Sequence, residues 1–323
     1  MGSGAVPPVG LIANPVAGTD IRRLVGQASG VPMHEKVATV RRVLRGLASG
    51  GVETVFYMPD IAGLAQAAVA GESSLRCEPL PMRPMGTADD STQAGRLLAE
   101  AGAAAIITLG GDGTNRAVAQ GCGTVPLVPI STGTNNVFPT MIDGTIAGLA
   151  AGLFATGAVT RDAVCRQTKR VEVVTPGGED FALIDAAVCL DHVTGARAVW
   201  DPRRVSAVVM ARADPWAVGL SSIGGRLCGV SDDDPRGLYV ELGRGPLVTC
   251  VLAPGLVVEV PISGWRSLAL DEEVSLDVGR GTIALDGERQ LSGGGEVRAR
   301  VTRAGPVVVD IRAVLAAVGV HGR

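Results

Sequence analysis

The stretch AAAIITLGGDGTNRAVAQ, residues 103–120, decides the fold. Residues 103–109 are almost free of polar side chains, which is typical of a central parallel strand covered on both faces. Residues 116–120 indicate the start of a helix, and three glycines with Asp112 stand between the two. A strand, a glycine-rich turn and a helix in this order predict a ligand site at the carboxyl end of a strand in an open α/β sheet.

Strands and helices alternate on both sides of this stretch, as far as about residue 160. Apolar runs predict strands at 9–13, 52–58, 75–80 and 125–130, and helical spacing of apolar residues predicts helices at 34–48, 61–70 and 88–101. This alternation favours an α/β fold with a doubly wound parallel sheet.

Beyond residue 161 the chain consists of short strand-like segments punctuated by Gly and Pro. That pattern predicts a mainly β domain built as a sandwich. Residues 307–320 return to a strand followed by a helix. We therefore predict an α/β nucleotide-binding domain at 1–162, a β-sandwich domain at 163–302, and a tail, 303–323, that returns to the first domain.

Composition excludes several classes of protein. The net charge of −3 provides no broad cationic field for duplex nucleic acid or an anionic membrane surface. The longest apolar stretch, residues 146–159, is shorter than the ~20 residues of a membrane span. The six cysteines form no C-x-x-C pair and no secretory leader precedes them, so we expect a cytoplasmic protein with reduced thiols.

Lysine is scarce in the chain, and none stands near the glycines. Lys36 and Lys169 are the only lysines, and neither stands in a G-x-x-x-x-G-K-[ST] context, which excludes a P-loop. A phosphate site without lysine can use backbone amides, helix dipoles and Mg²⁺.

Asp112 is the strongest candidate for chemistry. A carboxylate among phosphates can accept the proton of an attacking hydroxyl or help to hold a metal ion. The alternative is that Asp112-Gly113 forms an ordinary hairpin turn. The doubled glycine before Asp112 and the helix after it argue against that alternative.

Two other segments follow predicted strands and would face the same crevice. Residues 131–139, STGTNNVFP, contain hydroxyl and amide side chains that either serve a polar ligand or begin a helix with Thr134 or Asn135 as N-cap. Asn14-Pro15 follows the first strand and by itself indicates only a turn.

The β half contributes weaker candidates. Asp286-Gly287-Glu288 is either a solvated hairpin turn or a pair of functional carboxylates. Residues 221–225, SSIGG, either line a pocket or form a flexible loop.

Taken in order, these segments resemble the superfamily of NAD kinases, diacylglycerol kinases and sphingosine kinases, and within it the AcoX-type, ATP-NAD kinase-like branch. The superfamily resemblance lies in Asn14-Pro15 with Gly18, in GGDGT at 110–114 and in TGTNN at 132–136. The resemblance to the branch lies in residues 110–119, 131–139 and 195–202. It spans nearly the whole chain and implies a nucleotide domain followed by a β-sandwich.

The resemblance also implies roles. Asp112 would activate the acceptor hydroxyl or organise Mg²⁺, and Asp286 with Glu288 matches the D-G-E of the lipid-kinase branch, which makes Glu288 the rival base. The residues that would bind ATP phosphates are Gly110, Gly111, Gly113, Thr114 and Asn115. The remaining nucleotide-binding candidates are Asn14, Thr132, Gly133, Thr134, Asn135, Asn136, Asp185, Ser221, Ser222 and Asp286.

Departures from the NAD kinase pattern leave the acceptor open. Ile184-Asp185 stands where those kinases have an Asn-Glu or Asn-Asp pair, and residues 220–225 are only a loose counterpart of their Thr-Pro-Thr-Gly-Ser-Thr-Ala-Tyr stretch. The expectation is therefore an ATP- and Mg²⁺-dependent kinase acting on NAD or a related small molecule, with a non-catalytic nucleotide sensor or accessory subunit as the alternative. An apolar sandwich edge further favours a homo-oligomer.

Overall fold

A computed structural model describes residues 6–17, 27, 30–133, 135–191, 198–292 and 295–319. The strands are β1 (Val9–Ala13), β2 (Thr54–Tyr57), β3 (Arg76–Pro79), β4 (Ala105–Gly110), β5 (Leu127–Ser131), β6 (Cys165–Gln167), β7 (Arg170–Thr175), β8 (Gly178–Ala182), β9 (Asp185–Cys189), β10 (Val205–Met210), β11 (Arg236–Ala253), β12 (Leu256–Ala269), β13 (Glu273–Leu276), β14 (Thr282–Leu285), β15 (Glu288–Ser292), β16 (Val297–Thr302) and β17 (Val307–Val309). The helices are α1 (Met33–Ser49), α2 (Leu64–Val69), α3 (Ala88–Glu100), α4 (Asp112–Ala119), α5 (Gly144–Ala155), α6 (Arg161–Val164), α7 (Ser221–Leu227) and α8 (Ile311–Gly319).

The N-terminal part is a seven-stranded sheet in the order β3-β2-β1-β4-β5-β17-β6. The first six strands run parallel, and β6 pairs antiparallel with β17 at the edge. Every residue of β1 and β4 is buried, as expected for central strands with helices on both faces. One face packs on α1 and α5 and the other on α3 and α4.

Glycine lets α1 and α5 approach closely. A Cβ at Gly148 would lie 2.2 Å from the carbonyl oxygen of Val43, and one at Gly46 would lie 2.3 Å from that of Thr145. Real Cβ atoms never come this near to backbone, so larger residues at these positions would force the helices apart.

The C-terminal part is a β-sandwich. A six-stranded sheet, β12-β11-β10-β9-β14-β15, faces a four-stranded sheet, β13-β16-β7-β8, and both are antiparallel. Side chains such as Val173 and Ala299 from the smaller sheet meet Val188 and Val209 from the larger one in a shared core. The predicted fold class, a parallel α/β part followed by a mainly β part, is confirmed.

The chain returns to the first sheet through β17, which inserts beside β5, and α8 follows it. The domain limits stay a prediction. The pairing of β6 with β17 favours a boundary a few residues beyond 162.

Local structure differs at three places from a prediction or from one of the alternatives that the sequence left open. The helix after the glycine turn begins at Asp112 rather than Arg116. Residues 221–227 form a helix, not a loop. In the part of the chain that the structure describes, no helix begins at Asn135, and the next helix, α5, is capped by Asp143, whose Oδ1 accepts from the N–H of Thr145 at 2.8 Å.

No helix within the described ranges is both long and apolar enough to cross a membrane. All six cysteines are free thiols.

Candidate functional site

Three strand ends that carry predicted site residues lie side by side. Ala13 of β1 is in register with Leu109 of β4, and Gly110 is in register with Ser131 of β5. The loops after these strands therefore share one edge of the sheet, where ligands of open α/β sheets bind.

Asp112 is the first residue of α4 and reaches across to the loop after β5. Its Oδ1 accepts from the N–H groups of Val137 at 3.0 Å and Phe138 at 2.8 Å, and its Oδ2 lies 3.2 Å from the N of Val137. Asp112 thus ties the two loops together.

Two glycines of the turn are required by close packing. A Cβ at Gly110 would lie 2.6 Å from Oγ1 of Thr114, and one at Gly111 would lie 2.7 Å from Oδ1 of Asn136. A Cβ at Gly113 would meet nothing within 4 Å, so the turn is open on that side. Asn14 closes the first loop onto the turn, because its Nδ2 donates to Oγ1 of Thr114 at 2.9 Å.

The side chain of Asn115, one of the predicted phosphate ligands, does not face the cleft. Its side chain is fully buried, accepts from the hydroxyl of Thr108 at 2.6 Å and donates to the carbonyl of Gly111 at 2.9 Å. A side chain with both ends used inside the protein braces the turn and does not face a ligand.

The loop after β5 is held by its own polar groups. Asn136 donates to Oγ of Ser131 at 2.8 Å, and that hydroxyl donates to the carbonyl of Gly133 at 2.7 Å. The buried Oγ1 of Thr132 has no hydrogen-bond partner among the described residues. Thr134 lies outside the described residues, as does Gly18.

Asp286 enters the same site from the sandwich. With φ of +52° at Asp286 and +73° at Gly287, the link between Leu285 and Glu288 is a two-residue hairpin of type I′. The predicted hairpin is therefore present, but it is not solvated. The carboxylate is buried and accepts from the N–H groups of Leu183 at 3.1 Å and Ile184 at 2.7 Å.

The pKa of Asp286 is raised to about 7. Burial is the main cause, because it disfavours the charged form, and the negative charge of Asp112 adds to it. Arg116 and the two backbone N–H groups act in the opposite direction.

A narrow cleft between the two parts contains these groups. Its cavity volume is about 20 Å³, enough for roughly one water molecule. It is lined by Asp112, Asn135, Val137, Ile184, Asp185, Val199, Val218, Gly219, Leu220, Ser221, Leu252, Asp286 and Gly287. Five of these lining residues were candidates from sequence: Asp112, Asn135, Asp185, Ser221 and Asp286.

Two candidates from the β half do not line this cleft. Glu288 is half-buried at the start of β15, and its backbone bridges to Ala198. The hydroxyl of Ser222 is turned inward and donates to the carbonyls of Gly219 at 2.7 Å and Val251 at 3.1 Å. The hydroxyl of Ser221 is also bonded inside the protein, since it donates to the carbonyl of Arg212 at 3.0 Å, although the residue lines the cleft. The geometry therefore favours Asp112 over Glu288 as the base.

Arg116 is a site residue that sequence reasoning missed. It lies on α4, one turn after Asp112, and its guanidinium contacts Asp180 Oδ1 at 3.1 Å on the sandwich and Asp286 Oδ2 at 3.8 Å. A cation one turn along the helix from the acidic residue was the available signal. Arg116 joins the two parts directly beside the cleft.

The carboxylates do not form a dedicated metal centre. Within the described residues, no group of three or more His, Cys, Asp or Glu side chains is arranged to hold a metal ion. Mg²⁺ is commonly bound through one or two carboxylates together with substrate phosphates. Asp112 fits that kind of site, with the ion brought by the nucleotide.

Comparison with known proteins adds the family. A family model described as the ATP-NAD kinase N-terminal domain matches residues 9–158, and one described as the acetoin catabolism protein X C-terminal domain matches residues 169–304. Acetoin catabolism protein X of Cupriavidus necator is 42% identical over 314 residues, which cover 92% of this chain and 87% of that protein. The chain belongs to the acetoin catabolism protein X family. The predicted resemblance to NAD kinase-like proteins of this family is confirmed.

Among solved structures, an NAD kinase from Archaeoglobus fulgidus in complex with ATP is 15% identical, with a TM-score of 0.40. The match covers 84% of this member of the acetoin catabolism protein X family and 100% of that chain.

Proposed function

We propose that this member of the acetoin catabolism protein X family is a kinase that transfers the γ-phosphate of ATP to a hydroxyl of NAD or a related small molecule. The observation that carries the proposal is the position of Asp112. Its carboxylate lies at the start of a helix that follows a glycine turn, and it faces a cleft with the carboxylates of Asp185 and Asp286.

The phosphates would lie along the loops after β1, β4 and β5. The open side of Gly113 and the N-terminal end of α4 suit an anion at this edge. Mg²⁺, held by Asp112 and the phosphates, would neutralise charge as it develops on the transferred group.

In the reaction, Asp112 would accept the proton of the acceptor hydroxyl. The hydroxyl oxygen forms a bond to the γ-phosphorus as the bond from that phosphorus to the β,γ-bridging oxygen breaks, and ADP leaves with the electron pair. Asp286, protonated over a wider pH range than an ordinary carboxyl, would limit the negative charge beside Asp112.

Access to the site requires movement. A cavity of about 20 Å³ is far smaller than the several hundred Å³ typical of ligand pockets. We therefore expect the two parts to separate when the nucleotide binds. Assembly into homo-oligomers and a cytoplasmic location stay predictions.

The test is turnover of MgATP in the presence of NAD and of a panel of small alcohols. We expect Asp112→Asn to lower the rate by roughly 10²–10⁴-fold, the usual contribution of a general base. Glu288→Gln is the matched control, since it neutralises the rival carboxylate outside the cleft and should retain the rate. Equal rates for wild type and Asp112→Asn would remove Asp112 from the mechanism, and loss in Glu288→Gln alone would assign the base to Glu288.

A non-catalytic nucleotide-binding protein is the second candidate. Two observations favour it: Asp112 already serves as acceptor for two backbone N–H groups, and Ile184-Asp185 lacks the amide side chain that NAD kinases use. Thermal unfolding separates the candidates, because a nucleotide that only binds raises the melting temperature and yields no product.

A further inference from the structure

Lys36 lies beneath the first of the three loops, in a position that the composition did not predict. Its Nζ donates to the carbonyl oxygens of Pro15 at 2.6 Å and Ala17 at 3.0 Å, and the residue is only 2% exposed. Asn14 of the same loop bonds to Thr114 on α4. A single chain of contacts thus connects the ammonium group to the glycine turn.

The charge of Lys36 is not neutralised within the part of the chain that the structure describes. An ammonium group has three N–H donors, and the partners of this one are two carbonyl oxygens. Its pKa is lowered, and burial is the cause. A buried cation without a carboxylate destabilises the folded state unless another anion is bound nearby.

Lys169, the only other lysine, shows the contrast. It is fully buried and donates to the carbonyl of Arg236 at 2.7 Å. Burial lowers its pKa to about 8, and the negative charges of Asp232 and Asp234 act against that shift. Lys169 therefore has anions of its own, whereas Lys36 has none among the described residues.

We propose that Lys36 supplies the positive charge that the glycine turns lack, and that from beneath the loop of Asn14 to Ala17 it attracts the polyphosphate of the bound nucleotide to this edge of the sheet. Lys36 is then a positioning residue that acts through its loop and its electric field. The inference rests on the proposed function, since it concerns the same nucleotide.

The experiment measures the dissociation constants of MgATP and of inorganic tripolyphosphate by calorimetry. Lys36→Gln retains N–H donors for the carbonyls of Pro15 and Ala17 and removes the charge. Lys169→Gln is the matched control, because it removes one positive charge from the other buried lysine. We expect Lys36→Gln to weaken the binding of both ligands by roughly tenfold, because a positive charge near the phosphates is lost from a poorly solvated position. We expect Lys169→Gln to change the same dissociation constants by less than about twofold.

Salt dependence separates charge from packing. We expect the affinity of wild type to fall more steeply with rising NaCl than that of Lys36→Gln, because fewer charges then act on the phosphates. Lys36→Arg should restore the steep dependence. Circular dichroism and the unfolding midpoint show whether each variant is folded. If the unfolding midpoint of Lys36→Gln falls, the comparison is made with Lys36→Arg, which retains the charge and must bind the phosphate ligands more tightly than Lys36→Gln.

Three outcomes overturn the inference. Equal affinities in Lys36→Gln and wild type remove Lys36 from phosphate binding while nucleotide binding itself stands. If Lys36→Gln and Lys169→Gln bind the two phosphate ligands equally weakly, the effect is one of net charge alone. Wild type that binds neither MgATP nor tripolyphosphate contradicts the proposed function before any variant is compared, and the inference fails with it.

Discussion

Asp286 combines a buried carboxyl group with a backbone conformation that few side chains adopt. Its φ of +52° belongs to the left-handed region, where Asn and Asp are the most tolerated residues after Gly. The hairpin turn requires this conformation. It also directs the carboxyl group toward the N–H groups of Leu183 and Ile184, from which the carboxyl group accepts hydrogen bonds. The buried acid is thus a consequence of the turn.

The raised pKa of Asp286 predicts a pH dependence of stability. The pKa is 3.8 in an ordinary environment and about 7 in the fold, so between these values the folded state binds more protons than the unfolded state. The free energy of unfolding therefore falls as pH rises from about 4 to 7, by at most about 1.4 kcal/mol per pH unit for this group.

Asp286→Asn isolates this contribution, since Asn tolerates the same φ and does not titrate. Urea unfolding of both proteins at pH 5, 6, 7 and 8.5 should show wild type losing stability relative to Asp286→Asn up to about pH 7, and a constant difference above it. A difference that stays constant from pH 5 to 7 would contradict the raised pKa.

Sequence predicted the residues of the glycine turn better than their individual roles. Asp112 and its glycines follow a buried strand, and that order alone locates them at the sheet edge. The inward orientation of Asn115 depends on Thr108, seven residues earlier, whose hydroxyl donates to the side-chain oxygen of Asn115. Hydrophobic periodicity and composition do not reveal hydrogen bonds of this kind between side chains of different elements.

The pairing of α1 with α5 shows how glycine determines structure at the level of elements. Gly148 faces the carbonyl of Val43. A Cβ at Gly152 would lie 2.9 Å from the Cα of Gly50, which leaves no room for a side chain at that position. These glycines reduce helix propensity but allow the two helices to pack closely against each other. In the sequence, α5 is recognisable only as an apolar stretch. Its composition does not indicate that α1 is the helix against which it packs.

Gly148→Ala should destabilise the fold although Ala is the better helix former. The new Cβ would lie 2.2 Å from the carbonyl oxygen of Val43. Overpacking of this kind costs about 1–3 kcal/mol, which exceeds the ~1 kcal/mol gained in helix propensity. Gly319→Ala at the end of α8 is the control, because its Cβ would meet nothing within 4 Å. Urea unfolding measures both, and a Gly148→Ala protein as stable as wild type would refute the tight contact.

The helix α7 shows a limit of sequence patterns. Its seven residues include Ser221, Ser222 and two glycines, which favour turns over helices. Burial of Ile223 against the larger sheet and the inward hydroxyl of Ser222 stabilise the helix instead. Tertiary contacts decide the conformation there, so local propensity gives the wrong structure.

At the scale of the molecule, the contacts that join the parts around the cleft include two of different kinds. One is the apolar cluster of Phe138, Leu183, Ile184 and Val308, and the other is the ion pair of Arg116 with Asp180. Arg116 and Asp180 are 64 positions apart. The existence of both parts could be predicted from sequence, whereas the width of the cleft depends on such distant pairs and could not.

The ion pair of Arg116 and Asp180 should stabilise the fold more than an exposed pair does. Its side chains are 8% and 21% exposed, against 47% and 44% for Arg298 and Glu273. A double-mutant cycle with Arg116→Met and Asp180→Asn should give a coupling of about 1.5–3 kcal/mol in urea unfolding, and the exposed pair less than about 1 kcal/mol. Equal couplings would show that the contact between the parts adds nothing beyond a surface pair.

The burial of both lysines has a consequence for covalent chemistry. Reagents that acylate primary amines react with accessible side chains, and Lys36 and Lys169 are 2% and 0% exposed. Acylation of either lysine therefore requires its surroundings to open first. The two acylation rates, resolved by peptide mass, would report how often the first loop and the sandwich each open, without any introduced probe.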